Sequence, residues 1–185
     1  MTKIEKLIAK HCPDGVERKK LIDIAKIQRG VRVVRSQLMT QGKIPVYQNS
    51  IKPLGYCSKS NMKAGTAFVI AAGAAGEIGY SDIDFWAADD CYCVLGDENL
   101  NGRFVYYCLM SKQFQLASKV RKGAVPRLER SFVEDLEIPV PPIPVQEEVV
   151  RMLDGMTGLV DALEGEIAAR RQQYEYYREK LLSFK

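Results

Sequence analysis

A single histidine, His11, stands in 185 residues. That scarcity removes most histidine-based triads and metal clusters, because each needs an imidazole as base or ligand beside its other members. No apolar run approaches the ~18 residues of a membrane span. The start, Met1-Thr2-Lys3-Ile4-Glu5-Lys6, has no apolar leader core. A cytoplasmic protein with no membrane partner is therefore expected. Cysteines are few and odd in number: Cys12, Cys57, Cys91, Cys93 and Cys108. Without a secretion signal, an odd count argues against a disulfide framework. Cys91-Tyr92-Cys93 has the spacing of two strand positions on one face, so core packing is expected rather than zinc. The glycine-rich stretch 73–79 lacks the lysine and Ser/Thr of a phosphate-binding P-loop. There is no Asn-Pro-Pro-Tyr-like element and no glycine-rich nucleotide-binding βα unit. The chain is expected to be no enzyme and to hold no cofactor and no metal.

What is present begins with charge. Residues 1–145 carry 21 Lys/Arg against 15 Asp/Glu, and residues 146–185 carry 6 against 8. The basic excess thus belongs to the larger part. It concentrates in 18–35, where seven cations face Asp23 alone, and in 112–130, where only Glu129 opposes them. Between these lies 77–98, acidic and without Lys or Arg. Two basic segments suit a polyanion, most simply nucleic acid, or else a solvated surface.

Along residues 2–11 a short helical period is followed by the turn Cys12-Pro13-Asp14-Gly15. Leu21 to Ile27 reads as a first strand, 31–42 as a loop, and 44–48 as a short strand placed at a sheet edge by Pro45. Thr66-Ala67-Phe68-Val69-Ile70-Ala71-Ala72 is a continuous apolar run, the pattern of a strand buried on both faces. The glycines after it read as a tight turn. Strands are expected at 85–87, 91–95 and 137–140, a helix at 101–110 continuing toward 120, and a loop at 123–128. The fold class is α/β (α+β): a globular domain over 1–143, then one long C-terminal coiled-coil helix over 144–185.

That helix is announced by Ile138-Pro139-Val140-Pro141-Pro142-Ile143-Pro144, in which prolines forbid helix until Pro144 can open one. After it come Val149, Leu153, Met156, Val160, Leu163, Ile167, Arg170, Tyr174, Tyr177, Leu181 and Phe184. The steps alternate four and three, a heptad seam sustained over about five heptads and broken in character only by Arg170. At about 1.5 Å per residue the helix is roughly 58 Å long, so the seam is expected to be buried against a helix of another chain. The apolar members of the seam are the expected dimerisation residues.

Asp82, Asp84, Asp89 and Asp90 can be read as a magnesium site for a free-standing nuclease. With no lysine expected beside them, turn formation is the preferred reading. A third reading is a coiled-coil adaptor that never touches DNA.

Several segments then carry a family likeness: Leu7-Ile8-Ala9-Lys10-His11-Cys12-Pro13-Asp14-Gly15-Val16; Ile24-Ala25-Lys26-Ile27-Gln28-Arg29-Gly30; Ile44-Pro45-Val46-Tyr47-Gln48-Asn49-Ser50; Phe85-Trp86-Ala87-Ala88-Asp89-Asp90-Cys91; and Leu136-Glu137-Ile138-Pro139-Val140-Pro141-Pro142 with Gln146-Glu147-Glu148. In combination they resemble the DNA-specificity (S) subunit of type I restriction–modification systems. The resemblance implies a target recognition domain that reads half of a bipartite site in double-stranded DNA. It implies methyltransferase (M) subunits as partners, which carry S-adenosylmethionine and methylate adenine, and restriction (R) subunits that join for cleavage. The usual S subunit has two such domains and two antiparallel helices; this sequence has one of each. An antiparallel homodimer through 146–184 is the expectation. The DNA-binding candidates are Arg29, Arg32 and Arg35, then Gln48 and Asn49, then Arg121, Lys122, Arg127 and Arg130, since Arg and Lys hold phosphates while Arg to guanine and Asn or Gln to adenine read bases.

Overall fold

The computed structural model describes residues 2–184 and divides into two compact units, Met1–Glu147 and Glu148–Lys185. Helix α1 (Lys3–His11) opens the first unit behind a capping box: Thr2 Oγ1 accepts from the Glu5 N–H, and Glu5 accepts from the Thr2 N–H at 2.7 Å. Each bond satisfies a donor the helix leaves open. Then come β1 (Arg18–Lys20), α2 (Leu21–Ile24), β2 (Ala25–Arg29), a 3₁₀ turn at Arg35–Gln37, β3 (Ile44–Tyr47), β4 (Gly55–Cys57), β5 (Thr66–Ile70), β6 (Ile78–Ser81), β7 (Trp86–Ala87) and β8 (Cys91–Gly96). Helices α3 (Gly102–Ser111), α4 (Gln113–Ser118) and α5 (Arg130–Glu134) precede β9 (Glu137–Pro139) and the long α6 (Ile143–Leu182).

The central sheet has the order β2-β8-β5-β6, with every neighbour antiparallel. Strand β5 is buried along its whole length because both faces are covered. Ala67 and Val69, with Tyr92 and Val94 of β8, pack with Val105 and Leu109 of α3 and Leu116 of α4. The alternate residues Phe68 and Ile70, with Cys91 and Cys93, face Met62, Phe85 and Ala87. Two-sided burial is what turns an alternating strand pattern into a continuous apolar one. Phe68 and Phe85 are fully buried with ring centroids 5.3 Å apart, and Tyr47 tilts over Phe68 at 4.8 Å. A second sheet has the order β4-β3-β7, with β3 parallel to β7. The turn read at 73–79 joins β5 to β6, with Gly73 and Gly76 at positive φ where other residues are strained.

Four readings are corrected. Residues 21–27 are not one strand: Leu21–Ile24 make a single helical turn, and the strand begins at Ala25. Leu21 is fully buried and donates its N–H to the Leu136 carbonyl at 2.9 Å, which pulls this turn off the sheet. Strand β3 is central rather than at an edge. Its proline is tolerated because Pro45 faces Tyr56, whose backbone groups both bond Met39, and pairing with β7 starts only at Val46. The aspartate stretch does have a lysine: Lys63 Nζ lies 3.1 Å from Asp84. Finally, α6 starts at Ile143, with Pro144 in the first turn where no N–H is required.

The first turn of α6 is tied into the first unit by Gln146, which has no exposed surface. Its oxygen accepts from the Asn101 N–H at 2.9 Å, and its nitrogen donates to the carbonyls of Asn99 and Pro141 at 2.9 and 2.7 Å. Asn101 in turn caps α3, accepting from the N–H groups of Arg103 and Phe104. The second unit is the rest of α6. From residue 154 onward every described side chain is exposed in the single chain. Among the described residues no helix is long and apolar enough to cross a membrane.

Candidate nucleic-acid interface

Four of the arginines singled out in the sequence line one cleft of about 260 Å³: Arg29, Arg121, Arg127 and Arg130. They arrive from separate elements. Arg29 ends β2, and its Nε donates to the Asp89 carbonyl at 2.7 Å, which fixes the guanidinium while leaving its terminal nitrogens for another acceptor. Arg121 and Arg127 close a loop on themselves: the Arg121 N–H donates to the Arg127 carbonyl at 2.8 Å, and the return bond is 3.2 Å. That loop is pinned to the central sheet. Leu128 donates to the Ala71 carbonyl at 2.8 Å, Gly73 donates to the Pro126 carbonyl at 3.1 Å, and the Tyr92 hydroxyl reaches the Leu128 carbonyl at 3.4 Å. Arg130 starts α5, and its Nε donates to Glu134 one turn on at 2.7 Å.

The floor and rim also contain Ala71, Ala72, Asp90, Tyr92, Leu128 and Glu129. None of these six stands among the DNA-binding candidates, and Asp90 is singled out in the sequence only with the aspartates of the magnesium reading. Four guanidiniums against two carboxylates leave the cleft net positive. Two of the arginines are braced and two stand on a backbone-held loop, so little freedom is lost when an anion binds. A planar guanidinium can take a phosphate or the edge of guanine in bidentate fashion.

The other candidates lie elsewhere. Arg32 and Arg35 are exposed in the 31–42 segment, and Lys122 is exposed between Arg121 and Arg127, but none of the three lines the cleft. Gln48 and Asn49 follow β3; their carbonyls accept from the Cys91 thiol at 3.3 Å and the Ala74 N–H at 2.9 Å, so both carbonyls are spent, on the start of β8 and on the β5–β6 turn. The aspartates of the acidic stretch do not gather. Among the described residues no group of three or more His, Cys, Asp or Glu is placed to hold a metal. Asp84 accepts from the Ala64 N–H at 2.9 Å and from Lys63, which hold its carboxyl below the usual value, so it braces a turn. Cys91 is buried, and burial pushes its thiol up to about 12. A thiol held neutral in this way serves packing.

On the second unit, Val149 and Leu153 are partly buried, while Leu163 and Ile167 are 58% and 53% exposed. Met156, Val160, Tyr174, Tyr177, Leu181 and Phe184 are also exposed. An apolar stripe this long on one helix is well beyond the scattered apolar residues of an ordinary surface.

Residues 13–170 match the type I restriction modification DNA specificity domain. A Haemophilus influenzae protein named as a type I restriction enzyme specificity subunit is 36% identical over an alignment that covers 91% of this chain and 46% of that protein. A Mycoplasma pneumoniae type I specificity subunit is 28% identical, over 89% of this chain and 46% of its own length. The crystal structure of a type I restriction–modification S subunit from M. genitalium superposes with a TM-score of 0.70 at 22% identity, covering 91% of this chain and 46% of that one. That likeness is one of fold. The chain belongs to the type I restriction modification DNA specificity domain family. It spans about half the length of the relatives it matches.

Proposed function

We propose that the chain is a non-catalytic DNA-sequence reader of a type I restriction–modification system, acting in the cytoplasm, and that the arginine cleft is where it meets DNA. The observation that carries this is the convergence of Arg29, Arg121, Arg127 and Arg130 on one braced cleft in a chain of this family. Phosphate contacts fix register on the duplex, and base-edge contacts supply sequence. Arg32, Arg35, Lys122, Gln48 and Asn49 are proposed as flanking contacts, made as the duplex extends beyond the cleft. Methyl transfer and cleavage fall to the M and R subunits. The globular part up to about residue 143 is the recognition domain, and α6 is the helix that spaces and pairs it.

The exposed heptad stripe supports a homodimer with antiparallel helices. Two identical readers on a two-fold axis would select an interrupted palindrome, because the symmetry of the protein maps onto the site. Light scattering with dilution tests the pairing: a mass about twice 20.8 kDa is expected, and a clean monomer at working concentration would sink the homodimer. Selection from randomised duplexes, with M subunit present, tests the reading. It is expected to return one recurring half-site, in inverted copies, that is lost when Arg121 and Arg127 are both alanine. Unchanged selection by that variant would remove the cleft from the reading.

A further inference from the structure

The loop that follows β3 is held against the arginine cleft through one glycine. Gly73 donates its N–H at 3.1 Å to the carbonyl of Pro126, the residue before Arg127. Gly73 also touches Asn49: a methyl group there would stand 2.8 Å from both the Asn49 Cβ and the Asn49 carbonyl oxygen. No side chain fits in that space, and the backbone has φ +85°, so glycine is what lets the two segments meet. The Asn49 backbone is fixed by the Ala74 N–H, which donates to its carbonyl at 2.9 Å. The Leu54 N–H donates to the Val46 carbonyl at 2.8 Å and closes the loop at its base. Ser50 is spent inside the loop, its hydroxyl accepting from the Lys52 N–H at 3.1 Å. Asn49 is exposed, and its carboxamide has no partner among the described residues. A braced backbone thus presents one free carboxamide beside the cleft loop, with the cation of Lys52 exposed on the same loop.

Building on the cleft proposed above as the DNA interface, we infer that Asn49 is a base-reading residue. Its carboxamide takes the N6 and N7 edge of one adenine, beside the nucleotide held at Arg127. Chemistry favours a base over a phosphate as its target. Phosphates are served by cations, and Lys52, Lys122 and Arg127 already supply them in these two loops. A carboxamide carries one acceptor oxygen and an NH₂ donor on the same plane. Adenine offers an N6 amino donor and an N7 acceptor side by side in the major groove, so both halves of the amide are met at once. Guanine offers two acceptors there and would set one of them against the amide oxygen. The short side chain on a fixed backbone gives up little freedom when it binds, which suits a reader more than a flexible anchor. Gly73 acts through Asn49 as a positioning residue, because its missing side chain sets where the carboxamide stands relative to Pro126 and Arg127.

Selection from randomised duplexes with M subunit present supplies the half-site, and two changes then test the contact. Asn49→Ala keeps the carbonyl bond to Ala74 and is expected to fold as the parent does. It is expected to lose the selection of adenine at one position and to keep the rest of the half-site. Placing 7-deazaadenine at that position of a duplex removes the N7 acceptor while leaving base pairing intact. The parent chain is expected to bind that duplex about tenfold more weakly than the natural one. Asn49→Ala is expected to bind the two duplexes equally. No penalty in the parent, or the same penalty in both proteins, would overturn the contact. So would an Asn49→Ala chain that still selects the parent's whole half-site, or one that weakens every sequence alike, the signature of a phosphate contact. Failure of the cleft itself reads differently: there the chain with Arg121 and Arg127 both alanine selects as the parent does.

Discussion

The backbones of Arg121 and Arg127 bond each other in both directions, at 2.8 and 3.2 Å, and so hold two guanidinium-bearing residues side by side at the rim of one cleft. Replacing either side chain by alanine leaves those backbone bonds intact. Each variant is therefore expected to fold normally, to weaken DNA binding and, for a lost phosphate contact, to reduce the salt slope of binding by about one. Lys122→Ala, outside the cleft, is expected to change affinity less. Titration at several salt concentrations makes the comparison.

The buried Gln146 makes three hydrogen bonds from one carboxamide, the one to Pro141 buried and the other two partly so. Gln146→Leu keeps the volume but strips the Asn101 N–H and the Asn99 and Pro141 carbonyls of this partner, Pro141's away from water. A loss of about 3 kcal/mol or more in urea unfolding is expected. A loss under about 1 kcal/mol would show that these groups find other partners.

Gly30 follows Arg29 directly, and a methyl group there would collide with the carbonyl oxygens of Ala87 and Ala88. Those are backbone atoms and cannot step aside. Gly30→Ala is expected to move the end of β2, breaking the Arg29–Asp89 bond with it. Thermal denaturation should show a lowered midpoint, and DNA affinity should fall further than for Arg29→Ala, which leaves the backbone in place.

The Asp84 carboxyl is held below its ordinary value of 3.8 by the Ala64 N–H first and Lys63 second. A folded-state pKa that is depressed adds stability above the unfolded value and loses it as the pH falls through the folded one. Asp84→Asn removes that dependence. The gap in urea midpoint between wild type and variant is expected to be full near pH 5 and to shrink as the pH falls through and below 3.8. A gap that stayed constant to pH 2 would mean the carboxylate contributes nothing through its charge.

Periodicity carried much of the fold into view. The apolar run at 66–72 contains a strand buried on both faces, and the alternating spacing of Cys91 and Cys93 did place both on one face in the core. Elements whose side chains are polar were silent. Strand β1 is Arg-Lys-Lys and holds only because it pairs with β9, a partner more than 100 residues away. Helix α5 is a single short turn with no period to read. Pro45 misled, because a proline excludes a strand interior only where its missing N–H is needed, and that depends on register.

By itself the sequence determined the heptad seam, the glycine turn after β5 and the two basic segments. Each is a local pattern, set by residue spacing and needing no distant partner. The tertiary structure alone decided that Arg29 and the 121–130 segment share a cleft while Arg32, Arg35 and Lys122 do not line it. That choice follows from the bonds of Leu128 and Gly73 to the loop and sheet segments 71–73 and 126–128. Contacts between residues so far apart in the chain leave no periodic trace in it, so only the packed domain shows which of many arginines stand together.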